Sequence, residues 1–306
     1  MIGTAVLTEG LRVAFGATTA LAGVDVDAER GSTLAVLGHN GAGKTTLIRV
    51  LTTLMRPDSG RASIDGFDIV RHADQVRDRI GVTGQYAGLD DFLTGRENLE
   101  LIGRLSGLGP AARHRAGELI ERMGVADLAE RRVGEMSGGS RRRIDLAASL
   151  VGSPSVLFLD EPTTGLDPIA RGTLWDVVDE LTAAGTTVVL TTQYLDEADR
   201  LADQIVVLDH GRVAARGTPA ELKRLVGGKV VTATIPTGEL DRLPVRPNTE
   251  RAIDGHHVNI SFAATDAATA GRFVADLIDI GVTDLDVTSP SLDDVFAHLT
   301  LTGVPS

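Results

Sequence analysis

The stretch Gly38-His39-Asn40-Gly41-Ala42-Gly43-Lys44-Thr45-Thr46 decides how this chain folds. It fits G-x-x-x-x-G-K-[ST], the phosphate-binding P-loop or Walker A pattern. Before it, Thr33-Leu34-Ala35-Val36-Leu37 is a short apolar run suited to a buried parallel strand. After it, residues 45–51 carry the spacing of a helix. Glycines let the backbone curl until successive N–H groups face phosphate oxygens. The helix N-terminus adds its partial positive charge. Lys44 offers a compact cation to the β- and γ-phosphates, and the Thr45 hydroxyl is placed to hold Mg²⁺. The other basic residues are almost all arginine, and Lys44 is the only lysine before Lys223. A point charge on a slim stem is needed there, and the pattern predicts a bound nucleotide.

Working outward, 306 residues suffice for one large domain and a small one, and a hydrophobic content of 42% supplies the core. The longest apolar runs, 156–159, 188–190 and 205–208, have strand length. None approaches the roughly 18–20 residues that cross a bilayer. The first residues lack the basic-then-apolar pattern of a signal peptide. The absence of cysteine excludes disulfides and Cys-ligated metal, and fits a reducing cytosol. A net charge of −12 argues against a nucleic-acid partner on bulk electrostatics, although a local basic patch stays open.

In chain order, residues 5–8 and 21–26 alternate like strands joined by a turn near Gly16. Phe15, just upstream of the P-loop strand, either stacks on an adenine face or packs as ordinary core. Ser63-Ile64-Asp65-Gly66 closes a hairpin-like region. Residues 80–85 form a strand whose polar end, Gln85, can reach Mg²⁺ or a water at the edge where open α/β sheets hold ligands. It can equally be a loop-entry glutamine. Residues 96–105 and 111–123 have helical periodicity around the break at Gly107-Leu108-Gly109-Pro110, a helical insertion.

Ser137-Gly138-Gly139, opening a helix, makes either a second anion site or an N-cap serine with two flexible glycines. Arg141, Arg142 and Arg143 oppose the helix dipole there, so an anion, nucleotide or carboxylate, is expected nearby. Next, an apolar strand ends in Asp160-Glu161. Strand side chains alternate, so the two carboxylates take different jobs. Asp160 suits the Mg²⁺ shell, and Glu161 suits orienting or deprotonating the attacking water. Asp167 lies in a tight turn before a helix over 169–182. A buried strand over 186–192 ends at Gln193. A short acidic helix (194–201), a hairpin around Asp209-His210-Gly211 and a helix over 218–226 follow. Gly227-Gly228 marks a boundary. Beyond it, 230–235, 257–262 and 283–287 are expected as strands, and 267–280 and 292–299 as helices. His256-His257 suggests metal, but neighbours on a strand point to opposite faces.

In these motifs and their order the chain resembles an ABC-transporter ATP-binding subunit over about residues 4–226, most closely the daunorubicin/doxorubicin-resistance, drug-export type. Three features carry the closer likeness: residues 191–199 (Thr-Thr-Gln-Tyr-Leu-Asp-Glu-Ala-Asp), the size of the C-terminal appendage, and Pro290-Ser291-Leu292-Asp293-Asp294-Val295-Phe296 near its end. The resemblance implies an α/β fold. Residues 1–227 would form a P-loop NTPase ABC ATPase core with a helical subdomain at about 88–152, and residues 228–306 a small C-terminal α+β domain. It implies ATP and Mg²⁺ as ligands. Phe15 would stack on adenine, Gly38 to Thr46 would cradle phosphates, and Gln85 and Asp160 would serve Mg²⁺ and water. Glu161 would be the catalytic base and Gln193 the γ-phosphate sensor. Ser137-Gly138-Gly139 would bind the γ-phosphate of ATP held by a second copy of the chain, with Asp167 linking the two sites.

The implied partners are that second copy, in an ATP-sandwich dimer, and an integral-membrane permease, placing the chain at the cytoplasmic face of the membrane. Departures from the family pattern are His39 for proline, Ser140 for glutamine or methionine, and Gln193 for the switch histidine. Glutamine can donate to phosphate but cannot carry a proton on and off, which leaves Glu161 as the candidate base. His39 is expected as an exposed bystander of the loop. Other cargoes, a polysaccharide or an ion, stay open. A soluble non-transport ATPase would want tandem cores or a coiled-coil arm, and the sequence shows neither.

Overall fold

The structure, a computed structural model, describes residues 3–84, 88–226, 228–243, 249–255 and 257–296. The chain divides into two compact units, Met1–Arg216 and Gly217–Ser306. The division falls at Gly217, upstream of Gly227-Gly228. The reason is local: the last strand of the first unit stops at Gly217, and Thr218 and Pro219 start a new helix at once.

The first unit runs β1 (Thr4–Phe15), β2 (Thr18–Val24), β3 (Asp27–Glu29), β4 (Thr33–Leu37), α1 (Lys44–Leu51), β5 (Ser59–Ile64), β6 (Phe67–Asp68), α2 (Ala73–Arg77) and β7 (Ile80–Thr83). It continues with α3 (Gly95–Leu105), α4 (Ala112–Arg122), α5 (Gly138–Ser149), β8 (Val156–Asp160), α6 (Pro168–Ala183), β9 (Thr187–Thr192), α7 (Leu195–Leu201), β10 (Gln204–Asp209) and β11 (Arg212–Gly217). Strands β4, β8 and β9 are buried at every residue, as continuous apolar runs must be when both faces of a parallel sheet are covered.

They belong to a six-stranded sheet of order β11-β10-β4-β9-β8-β7, parallel from β10 to β7. A second, antiparallel sheet, β2-β1-β5-β6 with β3 beside β1, includes the hairpin that turns at Asp65 and Gly66. Helix α1 buries Leu47, Ile48, Val50 and Leu51 in one core with Val6 and Ile64 of the antiparallel sheet and Val36 and Phe158 of the parallel one. The P-loop helix is therefore clamped between two sheets. β1 extends well past the segment expected at 5–8 because its second half pairs with β2 and β5.

Helices α3, α4 and α5 lie within the interval expected to be helical. Thr94 and Glu97 close a capping box at the start of α3. At Gly103 an added Cβ would meet the Cβ of Ala112 at 2.8 Å, which shows how closely α3 and α4 approach.

The second unit holds α8 (Pro219–Val226), β12 (Lys229–Pro236), β13 (Thr249–Asp254), β14 (His257–Ala264), α9 (Ala267–Asp279) and β15 (Asp284–Thr288). Its antiparallel sheet has the order β13-β14-β12-β15. Alternate residues of β12 and β14 pack with α9 into a separate core. β13 carries no apolar alternation and is almost wholly exposed, so the sequence did not announce it. His256, half of the histidine pair noted above, lies outside the described residues, as do residues 297–299 of the last expected helix.

Phe273 is fully buried and its ring centroid lies 4.4 Å from that of Phe262. Phe273→Ala is expected to cost the second unit about 3–5 kcal/mol. Hydrogen exchange should report the loss within the second unit and leave protection of the buried strands β4, β8 and β9 unchanged.

Candidate active site

The carboxyl ends of β4, β8 and β9 form one edge, because the register sets Leu37 beside Thr192 and Asp160 beside Thr191. The P-loop leaves from that edge. Gly41 and Gly43 adopt φ of +87° and +109°, which side chains resist. Gly38 and Gly43 are also wedged: an added Cβ would lie 2.4 Å from the Leu208 carbonyl and 2.5 Å from the Ala20 carbonyl. Ala42 is buried, while Asn40 and Gly41 are exposed at the loop's tip. Thr46 is half-buried in the first turn of α1, whose opening N–H groups have no partner within the helix.

The Lys44 side chain is 4% exposed. It donates to the carbonyls of Gly38 at 2.8 Å and His39 at 3.2 Å, and pairs with Glu161 Oε1 at 3.4 Å. Asp160 is buried, and its Oδ1 accepts from Thr191 Oγ1 at 2.5 Å and from Thr45 Oγ1 at 3.4 Å. The two carboxylates do face different groups. The backbone explains how: Glu161 takes φ of 48° as it leaves β8, with its N–H held by the Thr191 carbonyl and hydroxyl, each at 3.1 Å. A non-glycine residue in that region is a small energetic cost met by its surroundings, of a kind that clusters at functional sites. In the sequence Thr191 is only the end of a buried strand and the start of the 191–199 stretch; the strand register is what sets it against Asp160 and the Glu161 N–H.

Ser137 caps α5, accepting from Ser140 N at 3.2 Å. The anions expected beside the arginines are carboxylates in this chain: Arg141 pairs with Asp91 at 2.7 Å, and Arg142 with Asp145 at 3.3 Å. Arg143 donates to the Gly124 carbonyl. Arg142 does more than neutralise charge. Its guanidinium also donates to the carbonyls of Gly84 at 2.7 Å, Pro162 at 3.0 Å and Asp160 at 3.3 Å. One half-buried side chain thus ties the helix behind Ser137-Gly138-Gly139 to the exits of β7 and β8. Burial works against its charge, offset by the carboxylates of Asp145, Asp160 and Glu197. Burial likewise pushes the Asp145 carboxyl up to about 6, with Arg142 and then Arg141 pulling the other way. A run of three arginines hinted at such a role; which of them turned inward was not legible.

Phe15 is 52% exposed, so it is not an ordinary core residue. Gln193 is exposed just past β9, on the edge that holds Glu161. Asp167 accepts from the N–H groups of Ile169 and Ala170 as the cap of α6. Gln85 lies outside the described residues. The His39 side chain is 41% exposed, and its Nε2 sits 3.0 Å from Asp209 Oδ1, so it has a partner from outside the loop. The pairing partner comes from β10, which the sequence does not place beside the loop.

Chemically, the edge offers a cation and helix N–H groups for phosphates, hard oxygen donors for a divalent metal, and a carboxylate for a water. Comparison with known proteins agrees. The ABC transporter family pattern matches residues 21–164. A daunorubicin resistance ATP-binding protein of Streptomyces coeruleorubidus is 50% identical over 306 residues, 98% of this chain and 97% of that one. The Nod factor export ATP-binding protein I of Ralstonia nicotianae is 44% identical over 216 residues, 70% of this chain and 67% of that one. Among solved structures, a dimeric ATP-binding cassette bound to ADP and Pi superposes with a TM-score of 0.63 at 25% identity, covering 70% of this chain and 98% of that one.

The Arg142–Asp145 pair yields a pH signature. With its carboxyl at about 6 in the folded chain against an ordinary 3.8, folded Asp145 keeps a proton that the unfolded chain has lost. Stability therefore falls as pH rises from about 4 to about 6, and the contribution is level above that. In urea titrations across this window, Asp145→Asn should flatten the slope relative to wild type.

Proposed function

The chain belongs to the ABC-transporter ATP-binding family, in its daunorubicin/doxorubicin-resistance group, and on that premise we propose that its ATP hydrolysis drives export of a hydrophobic drug, antibiotic or lipid-like compound through a separate integral-membrane permease. One observation carries the cargo class. The likeness to the drug-resistance protein covers 98% of this chain, whereas the likeness to the Nod factor exporter covers 70% of it.

The chemistry is positioning and charge neutralisation. Lys44 and the N–H groups from Gly41 to Thr45 bind the phosphates. Phe15, exposed at the end of β1, supplies a face for the adenine ring. Thr45 and Asp160, whose oxygens lie 3.4 Å apart, would hold Mg²⁺, together with Gln85. All these donors are oxygen, as that ion prefers. Mg²⁺ held there would supply positive charge to offset the negative charge of the phosphates. Glu161, turned out of the strand line by its backbone, orients the attacking water and accepts its proton. Gln193 donates to the γ-phosphate. Each chain has one P-loop and one Ser137-Gly138-Gly139 cap, so two copies closing head to tail make two sites, each with the cap of its partner.

No helix among the described residues is long and apolar enough to cross a membrane, and under this proposal the path for the cargo lies in the permease. A cleft of about 560 Å³ between β7, α3 and α5 suits the docking of that permease. Ile80, Val82, Ile102 and Leu105 line it, and Leu105 is 78% exposed. Asp145 lies in the same cleft, so Arg142 gives a docked segment a direct route to Gly84 and Asp160.

Lys44→Ala should abolish tight ATP binding in a fluorescent-nucleotide titration. Glu161→Gln should bind ATP, sediment as a dimer with it, and lower kcat by roughly 10²-fold or more. Multiple turnover by Glu161→Gln at the wild-type rate would sink the assignment of Glu161 as base, and an unchanged rate in Gln193→Ala would remove the sensor role. In cells carrying the permease, efflux of a fluorescent hydrophobic drug should need the wild-type chain and fail with Glu161→Gln. Leu105→Glu should cost co-purification of the permease.

A further inference from the structure

Three side chains converge on the flank of the P-loop: His39 of the loop, Asp209 at the end of β10, and His210 in the turn to β11. His39 Nε2 lies 3.0 Å from Asp209 Oδ1, and His210 Nε2 lies 3.8 Å from the same oxygen. The imidazoles meet edge to face with centroids 5.2 Å apart. One ligand atom from each residue falls within 4.8 Å of the others. A four-coordinate zinc ion, with bonds of about 2.0–2.2 Å, wants donor atoms about 3.3 Å apart. The His39–Asp209 pair lies close to that spacing, and His210, whose side chain is 83% exposed, lies 3.8 Å from the same oxygen.

A second observation points the same way. His39 Nδ1 is 2.7 Å from the Asn40 carbonyl oxygen. A carbonyl can only accept, so Nδ1 carries the hydrogen and donates it. The far nitrogen, Nε2, then faces the Asp209 carboxylate, and two acceptors at 3.0 Å call for a cation between them, either a proton or a metal ion. Metal-binding histidines are oriented by a backbone carbonyl or carboxylate on the opposite ring nitrogen, as His39 is here. The frame beneath is fixed: the Gly211 N–H donates to the Ala42 carbonyl at 3.0 Å, and the Leu208 carbonyl packs against Gly38. The loop and the β10–β11 turn therefore hold their ligands at a set distance.

We propose that His39, Asp209 and His210 form a binding site for a divalent transition-metal ion of the zinc class, separate from the Thr45–Asp160 pair. Two imidazoles and a carboxylate select Zn²⁺, Co²⁺ or Ni²⁺ over Mg²⁺, which demands oxygen. A water completes the coordination. Because the His39 carbonyl accepts from Lys44 at 3.2 Å, the ion sits one residue's breadth from the phosphate-binding lysine and tethers the loop to the turn.

The test is equilibrium dialysis of the full, nucleotide-free chain against Zn²⁺, with the visible absorption of bound Co²⁺ reporting its geometry. A single equivalent is expected, with affinity weakened roughly tenfold or more in His210→Asn and in Asp209→Asn. Asparagine tolerates the left-handed backbone at position 210, where φ is 44°. Wild-type ATP binding by His210→Asn would show that its fold is intact. Equal Zn²⁺ affinity and stoichiometry in wild type and both variants, or no Zn²⁺ bound by wild type, overturns the proposal.

Discussion

An ammonium group held almost out of water must be surrounded by oxygen, and the Lys44 ammonium constrains everything around it. Removing such a charge from water costs several kcal/mol unless partners replace the lost hydration. Here they are the Gly38 and His39 carbonyls and the Glu161 carboxylate. The carbonyls require the loop to curl back over its own lysine, which demands glycine at positions 41 and 43. The carboxylate requires Glu161 to leave its strand in a left-handed turn, which demands Thr191 beneath it. Thr191 in turn requires β8 and β9 to pair in their observed register. A single cation thus reaches through loop, turn and sheet.

The parts of the fold that were legible in the sequence are those where burial is complete or a local rule is strict. β4, β8 and β9 are apolar throughout, α1 follows its glycines, and α6 and α8 start at capping residues followed by proline. The illegible parts depend on partners distant in sequence. β1 outruns its apolar alternation because two neighbours pair with it. β13 exists only because β14 offers an edge, its own side chains being exposed. The same division runs through the site. Lys44, Asp160 and Glu161 could be placed by motif. Thr191, the inward turn of Arg142 and the Asp209 partner of His39 needed three-dimensional neighbours.

Arg142 shows how one member of a basic run near a helix start can turn inward as a structural junction. Its guanidinium fills a junction of carbonyl oxygens where strands β7 and β8 end and α5 begins. Arginine suits that junction because its planar fork can satisfy several acceptors at once. Arg141 and Arg143, one residue away on either side, bind surface partners instead, so neighbours of one chemical type serve unlike purposes.

The wedged glycines of the P-loop have one further consequence. With Gly38 against Leu208, Gly43 against Ala20 and α1 clamped between two sheets, the base of the phosphate cradle is held on both sides, while its tip at Asn40 and Gly41 is exposed. That base is a stator. When nucleotide arrives, little of the binding free energy is absorbed in ordering it. Room for movement on nucleotide binding lies instead at the exposed tip of the loop, at Asn40 and Gly41.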